Sequence, residues 1–473
     1  MPSPEAGAVV RKSPRHLRDA MLLSLLALVV RGALVLWAKD RFPPADDGSF
    51  YHVVAQRIAH GAGYTWLWPD GVVSYAAHYP VGYPALLGLA YAAFGASPAV
   101  AMALNAALGA LAVFAGQRVV LRYGTRRQAL LAGLLLALHP GLVFYTPALM
   151  TEGVTAELLV VATWLTLRVG WGPRLPWRLA LLGVCAGLLT LIRPQLVIMV
   201  PIFGAFAVAS PNAGLAARAL RALGVTGLAL AVCLPWTFRN CARMDRCVFV
   251  SANGGWNLLI GSAPEANGSW IPIAGSSVPP ECRNVFGEAE KDRCFGNAGA
   301  NNIRKNLLGF LRLVPRKLSV TFDYFGAPGH YLHTSNWRAF DEARQVQLGV
   351  VETVFERLVL LAAIVQAARI RQPGRKLRLA AALPAALFSV LRAGFLGYLG
   401  FVLTILLSGK ELLKRPLGAL TAALVLTTAA THAVFFGAGR YGFVCAAMLC
   451  IAAVSSGEAR SGEAAERSGE PAQ

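Results

Sequence analysis

The sequence predicts an all-α polytopic membrane protein. We expect about 10–12 transmembrane helices, amphipathic juxtamembrane helices in the first outer loop, and a small extracytoplasmic domain. Three observations predict this. Of 473 residues, 56% are apolar and 14% charged, against about 25% charged in a soluble domain. The mean hydropathy is +0.53. Lys and Arg outnumber Asp and Glu by 44 to 24, a formal net charge of +20, and the excess falls in short loops between apolar runs. These numbers exclude a disordered chain, a collagen-like chain and a disulfide-dense mini-protein.

Spanning helices need roughly 17 to 25 mostly apolar residues. The first candidate, 20–38, follows Arg11, Lys12, Arg15 and Arg18. It is too long for a signal-peptide core, and no small-residue cleavage site follows it. Further candidates are 99–121, 129–146, 153–169, 179–192, 195–209, 222–236, 393–409, 417–436 and 441–456. The stretch 349–392 is broken by Glu352, Glu356, Arg357, Arg371, Arg375, Lys376 and Arg378. It reads either as two more spans or as two helices on the membrane surface.

Orientation follows from the basic loops. The tail 1–19 and the loops 118–127, 168–178, 218–221 and 410–415 hold sixteen cations and three acids. They are expected to be cytoplasmic, which makes most of the +20 a topology signal and not a nucleic-acid patch. The expected organisation is a cytoplasmic tail 1–19 and an N-terminal transmembrane module 20–236 that includes an outer loop 39–82. An extracytoplasmic domain 237–348, helices 349–456 and a disordered cytoplasmic tail 457–473 follow. The outer domain holds nine of the 24 acids and four of the eight cysteines. Cys241, Cys247, Cys282 and Cys294 suggest two disulfides, with Cys241–Cys247 and Cys282–Cys294 favoured. A four-Cys zinc site is the weaker alternative, because no Cys-x-x-Cys pair is present.

The outer loop carries the chemistry. Asp46 and Asp47 stand just after the first span. Tyr51, Val54, Ala55 and Ile58 then recur at helical spacing, Gly61 and Gly63 end that helix, and Trp66 and Trp68 suit an interfacial anchor. The plain reading of the acidic pair is a helix N-cap with a solvated neighbour. The sharper one is a general base poised at a hydrophobic surface. His78 and Tyr83 lie in His-Tyr-Pro-Val-Gly-Tyr-Pro, a rigid turn that opens the next apolar segment, read either as a helix start or as a cavity wall. Arg193, Arg239 and Arg440 lie near outer helix ends. An arginine in a membrane is costly, and its planar fork fits phosphate. Glu152 is an acid at another outer helix end, and Arg31 within the first span suggests either a fourth cation or a bundle ion pair.

Together these residues carry a family resemblance. The acidic pair is followed by Tyr51 after four residues, then by Gly-x-Gly-Tyr and Pro-x-Gly-Tyr-Pro. This resembles the first outer loop of GT-C glycosyltransferases, most nearly the protein O-mannosyltransferases and the aminoarabinose (lipid A) transferases. Leu-Ile-Arg193-Pro, Pro-Trp-Thr-Phe-Arg239-Asn, Asn253-Gly-Gly-Trp256-Asn257 and His432…Arg440-Tyr441 resemble later landmarks in the right order. The resemblance implies a polyprenyl-phosphate-linked sugar donor and an inverting transfer on the extracytoplasmic face of the plasma (inner) membrane. The acceptor is a glycan, lipid or protein hydroxyl. It implies a catalytic Asp in the pair: the Tyr spacing selects Asp47, the acidic-dipeptide form Asp46, and Asp47 is the first expectation. Arg193, Arg239 and Arg440 would neutralise the leaving phosphate, with Tyr83, Glu152 and Tyr441 in the substrate site. His78 stands where the aminoarabinose transferases carry a phosphate-contacting Lys, and Ala77 where they carry a Glu, so no cofactor and no obligatory metal are expected. A lipid-linked polysaccharide polymerase or ligase is the chemical alternative. A secondary transporter would show paired repeats, which are lacking here. Nucleic acid is not an expected partner, since no recognition motif is present.

Overall fold

A computed structural model describes residues 14–169, 175–208, 213–369, 374–391 and 393–455. The first thirteen residues of the expected cytoplasmic tail, the expected disordered tail 457–473, and the loop cations Arg174 and Arg371 lie outside them.

Twenty helices make up the described chain. The first half holds α1 (Pro14–Ala38), α2 (Asp47–Ala59), α3 (Gly82–Phe94), α4 (Pro98–Tyr123), α5 (Arg126–Leu138), α6 (Pro140–Ala148), α7 (Thr151–Arg168), α8 (Leu175–Ile192), α9 (Met199–Phe206) and α10 (Leu215–Arg243). The second holds α11 (Gly254–Ser262), α12 (Glu288–Lys305), α13 (Leu307–Phe322), α14 (Ala327–Ser335), α15 (Glu342–Ala368), α16 (Arg375–Val390), α17 (Gly394–Leu406), α18 (Pro416–Val434), α19 (Gly439–Gly442) and α20 (Ala446–Val454). Between α2 and α3 runs a short antiparallel hairpin, β1 (Thr65–Leu67) and β2 (Val73–Tyr75), with Trp66 opposite Ser74.

Local chemistry sets many of the ends. Ser97 caps α4 by accepting from Val100 N, with Pro98 at the first helical position. Thr125 and Gln128 form a capping box on α5. Pro140 cannot continue α5, so the run expected as one span over 129–146 divides at His139. Among the described residues, six helical stretches are long and apolar enough to cross a membrane, α5 and α6 counting together as one, and four shorter apolar helices accompany them. One of the four, α3, was absent from the expected spans because its 13 residues fall short of a bilayer-length window.

α7 lies at the centre, buried on nearly every side. α4 packs against α1, α5 and α7, while α10 packs on α8 and α9. The stretch 349–392, open between two readings, forms α15 and α16, which pack on each other, with α15 also against α20 and α6. Arg31 is fully buried and pairs with Glu157 of α7 at 3.4 Å, so it serves the bundle. Within 237–348, α11 and α12 enclose a small core of Leu259, Ile260, Ile273, Cys282 and Phe295, joined by Phe436 from the later chain. Disulfides join Cys241 to Cys247 and Cys282 to Cys294, the two favoured pairs.

Candidate functional site

A cavity of about 1010 Å³ opens among the ends of several of these helices. Asp46, Asp47, His78, Glu152, Arg193, Arg440 and Tyr441 all line it. They come from five places in the chain, and close backbone approaches bring them together. A Cβ on Gly48 would stand 3.3 Å from the carbonyl oxygen of Ala148, so glycine seats the start of α2 on the link into α7. That contact sets Asp47 beside Glu152. A Cβ on Gly439 would collide with the carbonyl oxygen of Tyr324, so glycine lets α19 carry Arg440 against the 321–326 segment.

Asp47 accepts from Tyr79 Oη at 2.7 Å on one oxygen and from Arg440 at 2.9 Å on the other. Arg440 also donates to Tyr331 Oη at 3.1 Å and to Tyr441 Oη at 3.0 Å. Its Nε lies 3.8 Å from Glu152. Arg193 donates to the same Glu152 oxygen and, at 3.2 Å, to Thr151 Oγ1. Glu152 therefore bridges two guanidiniums. Its second oxygen is buried with no hydrogen-bond partner.

Asp46 occupies the N-cap position of α2, yet its side chain makes no capping bond. Its φ is +49°, a left-handed conformation that few non-glycine residues adopt. Such strain concentrates at sites whose surroundings hold it in place. Its carboxylate lies 3.7 Å from His330 Nε2. Burial, together with the nearby Asp47 charge and its hydrogen bond, raises the Tyr79 hydroxyl well above the ordinary tyrosine value, so Tyr79 stays a donor. Burial lowers His78 despite the nearby Asp292 and Asp47 carboxylates. The ring is therefore neutral at neutral pH, unlike a Lys ammonium in that place.

Two expected site residues lie elsewhere. Tyr83 is fully buried and donates to Asn105 Oδ1 at 3.2 Å, out of reach of the cavity. Arg239 donates to the carbonyl oxygens of Tyr64 and Ala76, at 2.6 and 2.8 Å, and lies over the Trp236 ring. It clamps the hairpin loop and does not line the cavity. The clamp still reaches Asp47 at one remove, because Tyr64 Oη donates to the Tyr79 carbonyl at 2.8 Å.

The lining also holds residues that sequence reasoning did not assign. Tyr324, His330, Tyr331 and Trp270 come from 237–348, and Gln345 from the start of α15. The Asn253–Asn257 stretch supplies Asn253, Trp256 and Asn257. This wall is held by acids bonded to main chain. Glu288 accepts from Ala77 N at 3.1 Å, and Asp292 accepts from Trp256 N at 2.8 Å. Among the described residues, no three His, Cys, Asp or Glu side chains stand close enough together to hold a metal ion.

No family model and no curated protein sequence matches the chain. Solved structures do. The oligosaccharyltransferase AglB of Archaeoglobus fulgidus, in complex with an inhibitory peptide and a dolichol-phosphate, matches with a TM-score of 0.50 at 15% identity, over 95% of this chain and 50% of that one. The same organism's oligosaccharyltransferase in its apo form matches at 0.49 and 14%, over 94% and 50%. ArnT of Cupriavidus metallidurans bound to undecaprenyl phosphate matches at 0.39 and 17%, over 92% and 77%. The chain spans about half the length of the archaeal protein. From its helical architecture and its likeness to the archaeal enzyme, the chain has the polytopic GT-C fold.

Proposed function

We propose that this chain is a membrane glycosyltransferase. It moves a sugar from a polyprenyl-phosphate-linked donor to an acceptor hydroxyl outside the cytoplasm, with inversion at the anomeric carbon. The observation that carries this reading is one cavity that holds a carboxylate, Asp47, bonded to Arg440, and a second guanidinium, Arg193, bonded to Glu152. A carboxylate suits a hydroxyl nucleophile and guanidiniums suit a phosphate leaving group.

In this reading the acceptor O–H gives its proton to Asp47 as its oxygen attacks the anomeric carbon. The bond from that carbon to the phosphate oxygen breaks, and the electron pair leaves with the phosphate. Each Asp47 oxygen has one protein donor and keeps a lone pair for the acceptor. Proton transfer neutralises Asp47 just as negative charge grows on the phosphate. Arg440 then loses a carboxylate partner and has charge to offer the leaving group, which makes its interaction strongest in the transition state. Tyr331 and Tyr441 hold the guanidinium in place meanwhile.

The test is a panel of polyprenyl-phosphate sugars incubated with the purified protein and candidate acceptors, following release of polyprenyl phosphate. Release from at least one donor, lost in Asp47→Asn, is expected. No release from any donor, with every acceptor class present, sinks the reading.

A further inference from the structure

A second group of acids lies deeper, away from the cavity lining. α15 presents Glu352 and Glu356, four residues apart and so on one face. Both are at most 1% exposed. His139, at the break between α5 and α6, is 0% exposed, and its Nε2 lies 3.0 Å from Glu356 Oε1. None of the four carboxylate oxygens has a hydrogen-bond donor.

No cation among the described residues compensates them. The rings of Phe355 and Phe443 enclose His139. Tyr398 of α17, with Cys445 and Cys450, feels the Glu356 charge. Tyr324 and Tyr145 feel the Glu352 charge. Arg357 follows Glu356 in sequence, but its guanidinium donates to the main-chain carbonyls of Asp323, Ser389 and Leu391. His139 Nδ1 accepts from Leu142 N at the cap of α6. Nε2 is then the ring nitrogen that faces Glu356 Oε1 at 3.0 Å, and the two make no hydrogen bond. The three side chains do not converge as a metal site would.

A buried carboxylate with no cation and no donors takes a proton in place of keeping its charge. We propose that Glu352 and Glu356, with His139, form a buried proton-binding site, and that Tyr145 connects it to the cavity. Tyr145 is the connecting residue because its hydroxyl is itself buried without a partner. It lies within electrostatic reach of Glu352 on one side and of Glu152, Tyr331 and Arg440 on the other. Ionisable groups inside a membrane bundle mark proton and ion paths more often than they stabilise a fold. The proposal does not depend on the glycosyltransferase reading.

Infrared spectroscopy of the purified full-length protein in lipid nanodiscs tests it. At neutral pH the carbonyl stretch of an un-ionised carboxylic acid is expected. It should weaken in Glu352→Gln or Glu356→Gln, vanish in the double variant and persist in Asp47→Asn. ¹³C-labelled glutamate should shift it in the unsubstituted protein, which reads the assignment even where a variant fails to fold. In D₂O the band should exchange more slowly in Tyr145→Phe. Absence of the band at neutral pH, or a band that neither the label nor the Gln variants touch, overturns the site. Unchanged exchange in Tyr145→Phe overturns the connection to the cavity.

Discussion

The floor of the cavity and its outer wall use charge in opposite ways. On the floor, carboxylates face guanidiniums: Asp47 with Arg440, and Glu152 with Arg193. On the wall and in the hairpin loop behind it, charges end on main chain: Glu288 on Ala77 N, Asp292 on Trp256 N, and Arg239 on the carbonyls of Tyr64 and Ala76. A charge paired with another charge can exchange its partner for a substrate's. A charge bonded to main chain fixes a loop, and the loop must move before that charge is free. The difference teaches that an arginine at an outer helix end can be a reagent or a rivet, and that its acceptor decides which. Substitutions on the two surfaces should therefore separate turnover from stability.

The largest effect should come from the floor. Asp47→Asn keeps the shape of the side chain and removes the base. Turnover should fall by about 10²–10⁴-fold. Thermal unfolding should shift less than turnover, because Asn still accepts one of the two hydrogen bonds made to Asp47, and Glu152 stays 3.8 Å from the Arg440 guanidinium. A variant that unfolds early, with residual activity tracking the folded fraction, would make the floor structural and break the comparison.

Arg239→Ala should do the reverse. Two charge-assisted bonds to buried-loop carbonyls are lost, with the packing over Trp236 and Tyr75. A stability loss on the order of 2 kcal/mol is expected, read as a lower unfolding temperature in detergent. Turnover of the folded fraction should drop less than in Asp47→Asn, through loosening of Tyr64 and hence Tyr79. Unchanged unfolding with a turnover loss equal to that of Asp47→Asn would return Arg239 to the phosphate site that its sequence position suggested.

These contrasts also mark what the sequence could convey. Hydrophobic runs flanked by arginines place helix ends on one side, so residues at outer ends are natural neighbours. Asp47, Glu152, Arg193 and Arg440 were legible for that reason. The destination of a side chain was not. Pro-Trp-Thr-Phe-Arg-Asn places Arg239 near the cavity but says nothing about whether Tyr64 O or open space lies beyond it. Tyr83 sits in a motif that reads as a cavity wall, yet its hydroxyl meets Asn105 from another helix. Tyr324, Tyr331 and Trp270 lie in a segment that reads as a separate outer domain, and only the docking of that segment aims them inward. The contact between His139 and Glu356 joins residues more than two hundred apart, which no local pattern can report.

The smallest effect probes the wall through pH. Burial holds His78 below the ordinary histidine value of 6.5. The same loss of water holds Glu288 and Asp292 above their ordinary values of 4.5 and 3.8. The signs differ. A histidine with a lowered folded value resists protonation in the docked wall, so stability is lost as pH falls from 6.5 toward that lower value. The two acids bind protons more readily when docked, so they add stability as pH falls, but only near and just above the ordinary carboxylate range. Between about pH 7.5 and 6, above the acids' window, His78 contributes to this loss as one of three histidines on the cavity, with His330 and His432. Tryptophan fluorescence, with Trp256 and Trp270 as reporters on the wall, should therefore show a slightly lower unfolding temperature at the acidic end of that interval. His78→Gln has no ring to protonate and should flatten the decline. Asp47→Asn should not flatten it in the same way, because removing a nearby carboxylate lowers the His78 ring further and steepens the penalty. A decline of equal size in all three proteins would place the titrating group off the wall and leave charge on this surface purely structural.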